Sequence, residues 1–209
     1  MRRPIISAFA LSLLIACGGG GGDGGGGGGG GIDPRLLRLD EYAAQRLRVL
    51  GDPGAGVPAM AETPEAMIPD SGSFDYAGGA TIRVEAAAEP LVLYGDAAIS
   101  VNFGDGTALG QLERFFGITS TGEIADFDGA LTVSSADAAG AAPIFSYDGA
   151  LAGPVDTLLF DGVLSGHYLG DAAEALTAAD LEALVMLNGV PVDATLVVVT
   201  EVVPPQDGP

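Results

Sequence analysis

Three patterns of apolar and polar positions follow one another along this chain. Ile5 to Ala16 is a nearly unbroken apolar run of twelve residues behind Arg2 and Arg3. That is the length of a signal-peptide core and too short to cross a bilayer as a helix, so residues 1–16 read as a processing segment outside the fold. From Pro34 to Leu50, Leu36, Leu37, Leu39, Tyr42, Ala43, Leu47 and Leu50 recur near helical spacing. Asp33 can cap this helix with Pro34 at its first position, and Gly51 with Pro53 stops it. Residues 32–51 are therefore predicted to hold one helix. The Pro-, Gly- and Ala-rich residues 52–71 read as a linker.

Beyond the linker the pattern turns to strands. Short runs rich in Val, Ile, Phe, Tyr and Thr occupy Gly72–Ala77, Thr81–Glu85, Ala97–Phe103, Thr107–Phe116, Ile124–Val133, Ile144–Leu151, Thr157–Tyr168 and Thr195–Val203. Thr177–Leu187 is ambiguous, because Thr177 with Asp180 resembles a helix cap while Leu184–Leu187 before Asn188-Gly189 resembles a strand entering a hairpin. A helical turn followed by a strand is the compromise. Phe127-Asp128-Gly129, Tyr147-Asp148-Gly149 and Phe160-Asp161-Gly162 repeat an aromatic-Asp-Gly unit inside apolar runs, where glycine marks a bulge or bend more often than a turn. Bulges and glycine kinks let a sheet curve and close, so the strands predict a small antiparallel barrel over residues 72–203, with 204–209 as a tail.

Charge narrows the partners. Eight basic residues, all arginine, stand against 28 acidic ones, for a net charge of −20. Such a surface repels phosphate backbones and excludes nucleic acid. The acidity reads either as solvation in a salty environment or as complementarity to a basic partner. Arg35, Arg38, Arg46 and Arg48 gather on the predicted helix, which reads as packed against the barrel with a solvated arginine face, or as lying on a membrane surface.

Leu14-Ile15-Ala16-Cys17 resembles the lipobox of bacterial lipoproteins at all four places. The resemblance implies cleavage before Cys17, a diacylglycerol on its sulfur and an acyl chain, such as palmitate, on the new amino terminus. Residues 18–31 are glycine broken only by Asp23, a tether with a root-mean-square span of about 20 Å. With its single cysteine given to lipid, the mature domain has no disulfide. Gly18 stands where an aspartate would retain such a protein at the inner membrane, so the resemblance implies the outer membrane, at the cell surface or on its periplasmic face.

Gly166-His167-Tyr168-Leu169-Gly170-Asp171-Ala172-Ala173-Glu174-Ala175-Leu176 resembles a late barrel motif of the transferrin-binding protein B family, with Gly166, Tyr168 and Gly170 on it directly and Ala172 and Glu174 on it once one residue is deleted after Gly170. Phe127–Val133 and Ala98–Phe103 resemble its earlier strands. The resemblance spans about two thirds of the chain and implies an eight-stranded barrel lipoprotein that binds a protein or a small solute. No handle-sized insertion interrupts this single barrel, which argues against transferrin itself.

Catalytic patterns are sparse. His167 is the only histidine, no Gly-x-Ser-x-Gly elbow accompanies it, and a chain without lysine cannot complete a phosphate-binding loop. The scattered aspartates lack calcium-loop spacing, the nearest approach being Asp126-Phe127-Asp128-Gly129. The sequence therefore predicts a mainly β, non-catalytic binding module with no cofactor or metal, attached to the membrane through lipid. Glu85–Asp96, Gly117–Glu123 and Ser134–Pro143 are its candidate specificity loops. The alternative is a periplasm-facing assembly lipoprotein that docks an outer-membrane protein.

Overall fold

The computed structural model describes residues 32–85, 89–118 and 123–204. Cys17 and the glycine tract lie outside the described residues. The described residues form one compact unit.

One helix and eight strands follow in order: α1 (Pro34–Leu50), β1 (Ser73–Val84), β2 (Leu91–Asn102), β3 (Thr107–Ile118), β4 (Ile124–Ser135), β5 (Ile144–Ala152), β6 (Thr157–Leu169), β7 (Ala175–Leu187) and β8 (Val190–Val202). Each strand pairs antiparallel with its neighbours in sequence, and β1 pairs with β8 from Tyr76↔Val202 to Val84↔Ala194, closing the barrel. Among the described strands none is an edge strand.

Period-2 burial builds the interior. Along β6, Leu158, Phe160, Leu164 and Tyr168 are buried while Leu159, Asp161 and Val163 face out. Tyr76, Ile82, Leu93, Ile99, Leu112, Phe115, Leu131, Phe145, Tyr147 and Leu151 join them in one continuous core. Side chains thus fill the interior, as expected of a barrel this narrow.

Four strand predictions need correction, one of them the last strand, β8, which begins at Val190 and not Thr195. Gly72–Ala77 and Thr81–Glu85 are parts of one strand, β1, running through Gly78 and Gly79. β2 begins at Leu91, not Ala97, so most of the candidate loop Glu85–Asp96 is strand. Thr177–Leu187 contains no helical turn; it is all β7, which starts at Ala175. The register of β7 against β8 slips between Asp180 and Ala183, which places Leu181 and Glu182 in an irregularity that breaks the alternation. The Asn188-Gly189 hairpin turn is present, with φ of 51° and 81°.

Two of the three aromatic-Asp-Gly units sit at irregularities, as predicted: Asp128-Gly129 lie in the β3–β4 slip, and Phe160-Asp161-Gly162 lie in the unpaired stretch of the β6–β7 ladder. The β4–β5 and β5–β6 ladders run past all three units without a register shift. Two units lie antiparallel, with Tyr147 opposite Gly162, Asp148 opposite Asp161 and Gly149 opposite Phe160. A Cβ on Gly162 would lie 2.5 Å from the Tyr147 hydroxyl oxygen, so glycine makes room for the ring to cross the neighbouring strand.

The predicted linker is bound to the barrel. Met60 N donates to Val49 O, Thr63 N to Tyr168 O and Gly170 N to Ala61 O, all at 2.8–2.9 Å. Val49, Leu169, Ala175 and Val199 form a second, smaller apolar cluster outside the barrel, joined by Met60.

Candidate binding surface

The strand order divides the turns between two barrel ends. The connections β1–β2, β3–β4, β5–β6 and β7–β8 lie at one end, and β2–β3, β4–β5 and β6–β7 at the other. The three candidate loops therefore do not converge: Ser134–Pro143 is at the opposite end from the other two, and residues 86–88 and 119–122 lie outside the described set. The Ser134–Pro143 segment is a plug. Ala138 is fully buried, its N–H donates to Gly106 O at 2.7 Å, and its carbonyl accepts the Tyr168 hydroxyl at 2.6 Å. At the same end the Tyr76 hydroxyl donates to Ala173 O at 2.8 Å. Burial pushes both tyrosine hydroxyls well above their ordinary range.

The outer wall is divided too. α1 covers β8 and β1 to β4, and three of its four arginines reach barrel groups while Arg46 stays exposed, which corrects the predicted solvated face in part. Arg35 reaches Asp126 at 3.2 Å and Ile124 O at 3.3 Å, and Arg48 pairs with Glu201 at 2.6 Å. Arg38 stacks on Phe116, 4.8 Å from the ring centroid, and lies 3.7 Å from Asp96. Two facing register slips, at Tyr94/Asp96 and Glu113/Phe115, bring Asp96 and Arg114 into an ion pair. Arg114 sits at φ 53°, and its carbonyl accepts from Arg38 at 3.2 Å. Tyr42 donates its hydroxyl to Asp96, and burial raises the pKa of that hydroxyl. Gly79 permits this seat, since a Cβ there would meet the Tyr42 ring at 2.8 Å. The position of α1 along the barrel wall is thus set by side chains on four strands. This matches the packed-helix expectation.

The wall of β5, β6 and β7 is different. Between Leu159↔Met186 and Ser165↔Ala179 the β6–β7 ladder pairs no residues. A groove of about 500 Å³ lies along this break, bordered by Val163, His167, Thr177, Asp180, Leu181 and Glu182. Leu181 is 68% exposed, Leu184 60%, and Leu159 and Val163 50% each. Asp180 is held in place: Oδ2 accepts the Tyr147 hydroxyl at 2.9 Å and Oδ1 accepts Glu182 N at 3.2 Å. His167 is half-exposed, with Nδ1 3.8 Å from Glu62 Oε1. Among the described residues no group of three or more His, Cys, Asp or Glu is arranged to hold a metal.

Sequence reasoning missed this groove because Leu181 was assigned to a helical turn. A bulged strand through Thr177–Leu187 would have put Leu181 and Leu184 outside the barrel.

The class these features define is a closed, side-chain-filled eight-stranded barrel with a helix docked on its outer wall. In shape it is similar to transferrin-binding protein B from Haemophilus parasuis, described as a vaccine antigen. A single-mutant structure of that protein gives a TM-score of 0.46 and a double mutant 0.45, both at 16% identity, covering 68% of this chain and 28% of that one. It is also similar to a structure described as a surface lipoprotein, with a TM-score of 0.45 at 13% identity over 70% of this chain and 66% of the other. The chain thus spans little more than a quarter of the transferrin-binding protein B chains it matches. No family model and no curated protein matches the sequence. The likeness is one of fold alone.

Proposed function

We propose that the chain is a non-catalytic binding lipoprotein of the outer membrane, held at the cell surface through lipid on Cys17 and the glycine tether, that engages a protein partner outside the cell with the outer face of its barrel. The observation that carries this reading is the partition of the apolar residues. The interior is filled by large side chains, leaving a small solute little room there, while Leu159, Val163, Leu181, Leu184 and Met186 stand exposed on β6 and β7, in addition to the exposed Leu36, Leu37 and Leu47 of α1. Exposed apolar residues gathered on one face are a mark of protein contact. The lipobox supports the membrane anchor, because two or more acyl chains make attachment stable where one is marginal.

The test is metabolic labelling with a palmitate analogue in the native host. Wild-type protein is expected to carry the label and to fractionate with outer membranes. Cys17→Ser is expected to lose the label and the membrane association together. Label-free wild-type protein in the soluble fraction would overturn the anchor.

A further inference from the structure

The described basic side chains are unevenly placed. Arg35, Arg38, Arg46 and Arg48 are on α1, Arg83 is on β1 and Arg114 on β3. The strands β5, β6 and β7 carry no arginine, their one imidazole being His167, yet Asp148, Asp161, Asp180 and Glu182 stand on them. Asp148 and Asp161 are exposed and directly opposite each other. Like charges so paired across strands are destabilising, and no arginine on these strands offsets them. Leu159 and Val163 flank Asp161 on the same face of β6, while Leu181 borders the groove in which Asp180 is fixed by two hydrogen bonds.

We propose that the outer wall of β5 to β7 is a docking face for a protein segment carrying arginine or lysine among apolar residues, with one basic side chain lying in the β6–β7 groove over Asp180. Charge complementarity selects this occupant. A guanidinium or ammonium head meets the Asp180 and Glu182 carboxylates while its methylene stem packs on Val163 and Leu181. The partner's neighbouring basic groups offset the Asp148 and Asp161 pair. A second copy of a chain with net charge −20 brings the same sign to the interface, and anionic headgroups do likewise. The inference rests on the binding-module reading and names the partner chemistry that reading leaves open.

The experiment titrates the full-length lipidated protein, held in a zwitterionic detergent, with a synthetic peptide of alternating arginine and leucine, and repeats it with Leu181→Ser, Glu182→Gln and Asp180→Asn. The first two changes are at exposed positions, so they keep the test informative if Asp180→Asn, which alters the Tyr147 contact, fails to fold. The peptide is expected to bind, to weaken as salt rises, and to lose about tenfold or more in affinity in each folded groove variant. Leu109→Ser, at an exposed apolar position on β3, is expected to bind as wild type. The proposal is overturned by any of four results: no peptide binding, equal weakening in Leu109→Ser, Leu181-dependent self-association, or Leu181-dependent binding to phosphatidylcholine vesicles. None of these touches the palmitate readout, so failure of the groove and failure of the anchored-module reading are told apart.

Discussion

Replacing Gly79 by valine should release α1 from the barrel without unfolding the barrel. The first added carbon would lie 2.8 Å from Tyr42 Cδ1 and 2.9 Å from Cγ, atoms near the root of the side chain that cannot yield by rotating a distal bond. Tyr42 must therefore move, and with it the turn of helix that carries Arg38. The contacts at risk are the partial burial of the ring, worth about 1 kcal/mol, and the hydroxyl bond to the Asp96 carboxylate, worth about 1.5 kcal/mol. The Arg38 stack on Phe116 adds about 0.5 kcal/mol. Valine is the better strand residue, a gain the barrel keeps whether α1 is docked or open. The loss of about 3 kcal/mol corresponds to roughly 150-fold more frequent opening of the helix. Hydrogen exchange read on peptides covering Pro34–Leu50 measures this directly, because local opening is seen separately from global unfolding. Gly140→Val is the control, since a Cβ at Gly140 has nothing within 4 Å. Unchanged α1 protection in a folded Gly79→Val protein would refute the claim that close approach at Gly79 seats the helix.

Other consequences follow from single groups. Tyr168→Phe removes the only hydroxyl that reaches Ala138 O in the described structure and leaves a buried carbonyl short of a donor, so stability should fall by about 1–2 kcal/mol in urea melts, with faster exchange in the Ser134–Pro143 segment. The hydrogen bonds from Arg35 hold the Asp33 carboxyl at a pKa of about 2, below the ordinary 3.8. A depressed value contributes stability that is complete above about pH 4 and lost as pH falls through about 2, so the N-terminal turn of α1 should fray only in that window, as followed by NMR titration of Asp33. Arg48→Met should cost less than about 1 kcal/mol in the same melts, because the Arg48 side chain of its pair with Glu201 is 60% exposed.

The sequence reading and the structure agree where local physics decides and part where tertiary contacts do. α1 matches its predicted span because its cap, its first-turn proline and its stop are all local. β3 to β6 are near their predicted spans because alternation runs through them. β1 and β2 were misread for one shared reason. Gly78-Gly79 and Gly95-Asp96 look like loop residues, yet they are where α1 and the β2–β3 irregularity demand small or acidic groups. A Cβ at Gly95 would lie 2.6 Å from the Phe115 ring, and Asp96 receives Tyr42, Arg38 and Arg114. The site that seats the helix thus erased the strand pattern that would have revealed it. The groove was hidden in the same way, by the slip between Asp180 and Ala183 that mimics a helical turn.

Protease treatment of intact cells, compared with cells whose outer membrane has been permeabilised, tests the central claim most directly. A barrel that captures a partner outside the cell is expected to be digested on intact cells, with Cys17→Ser protein no longer retained at the surface. Protection until the outer membrane is opened would contradict the account and place the barrel in the periplasm, docked to an envelope protein.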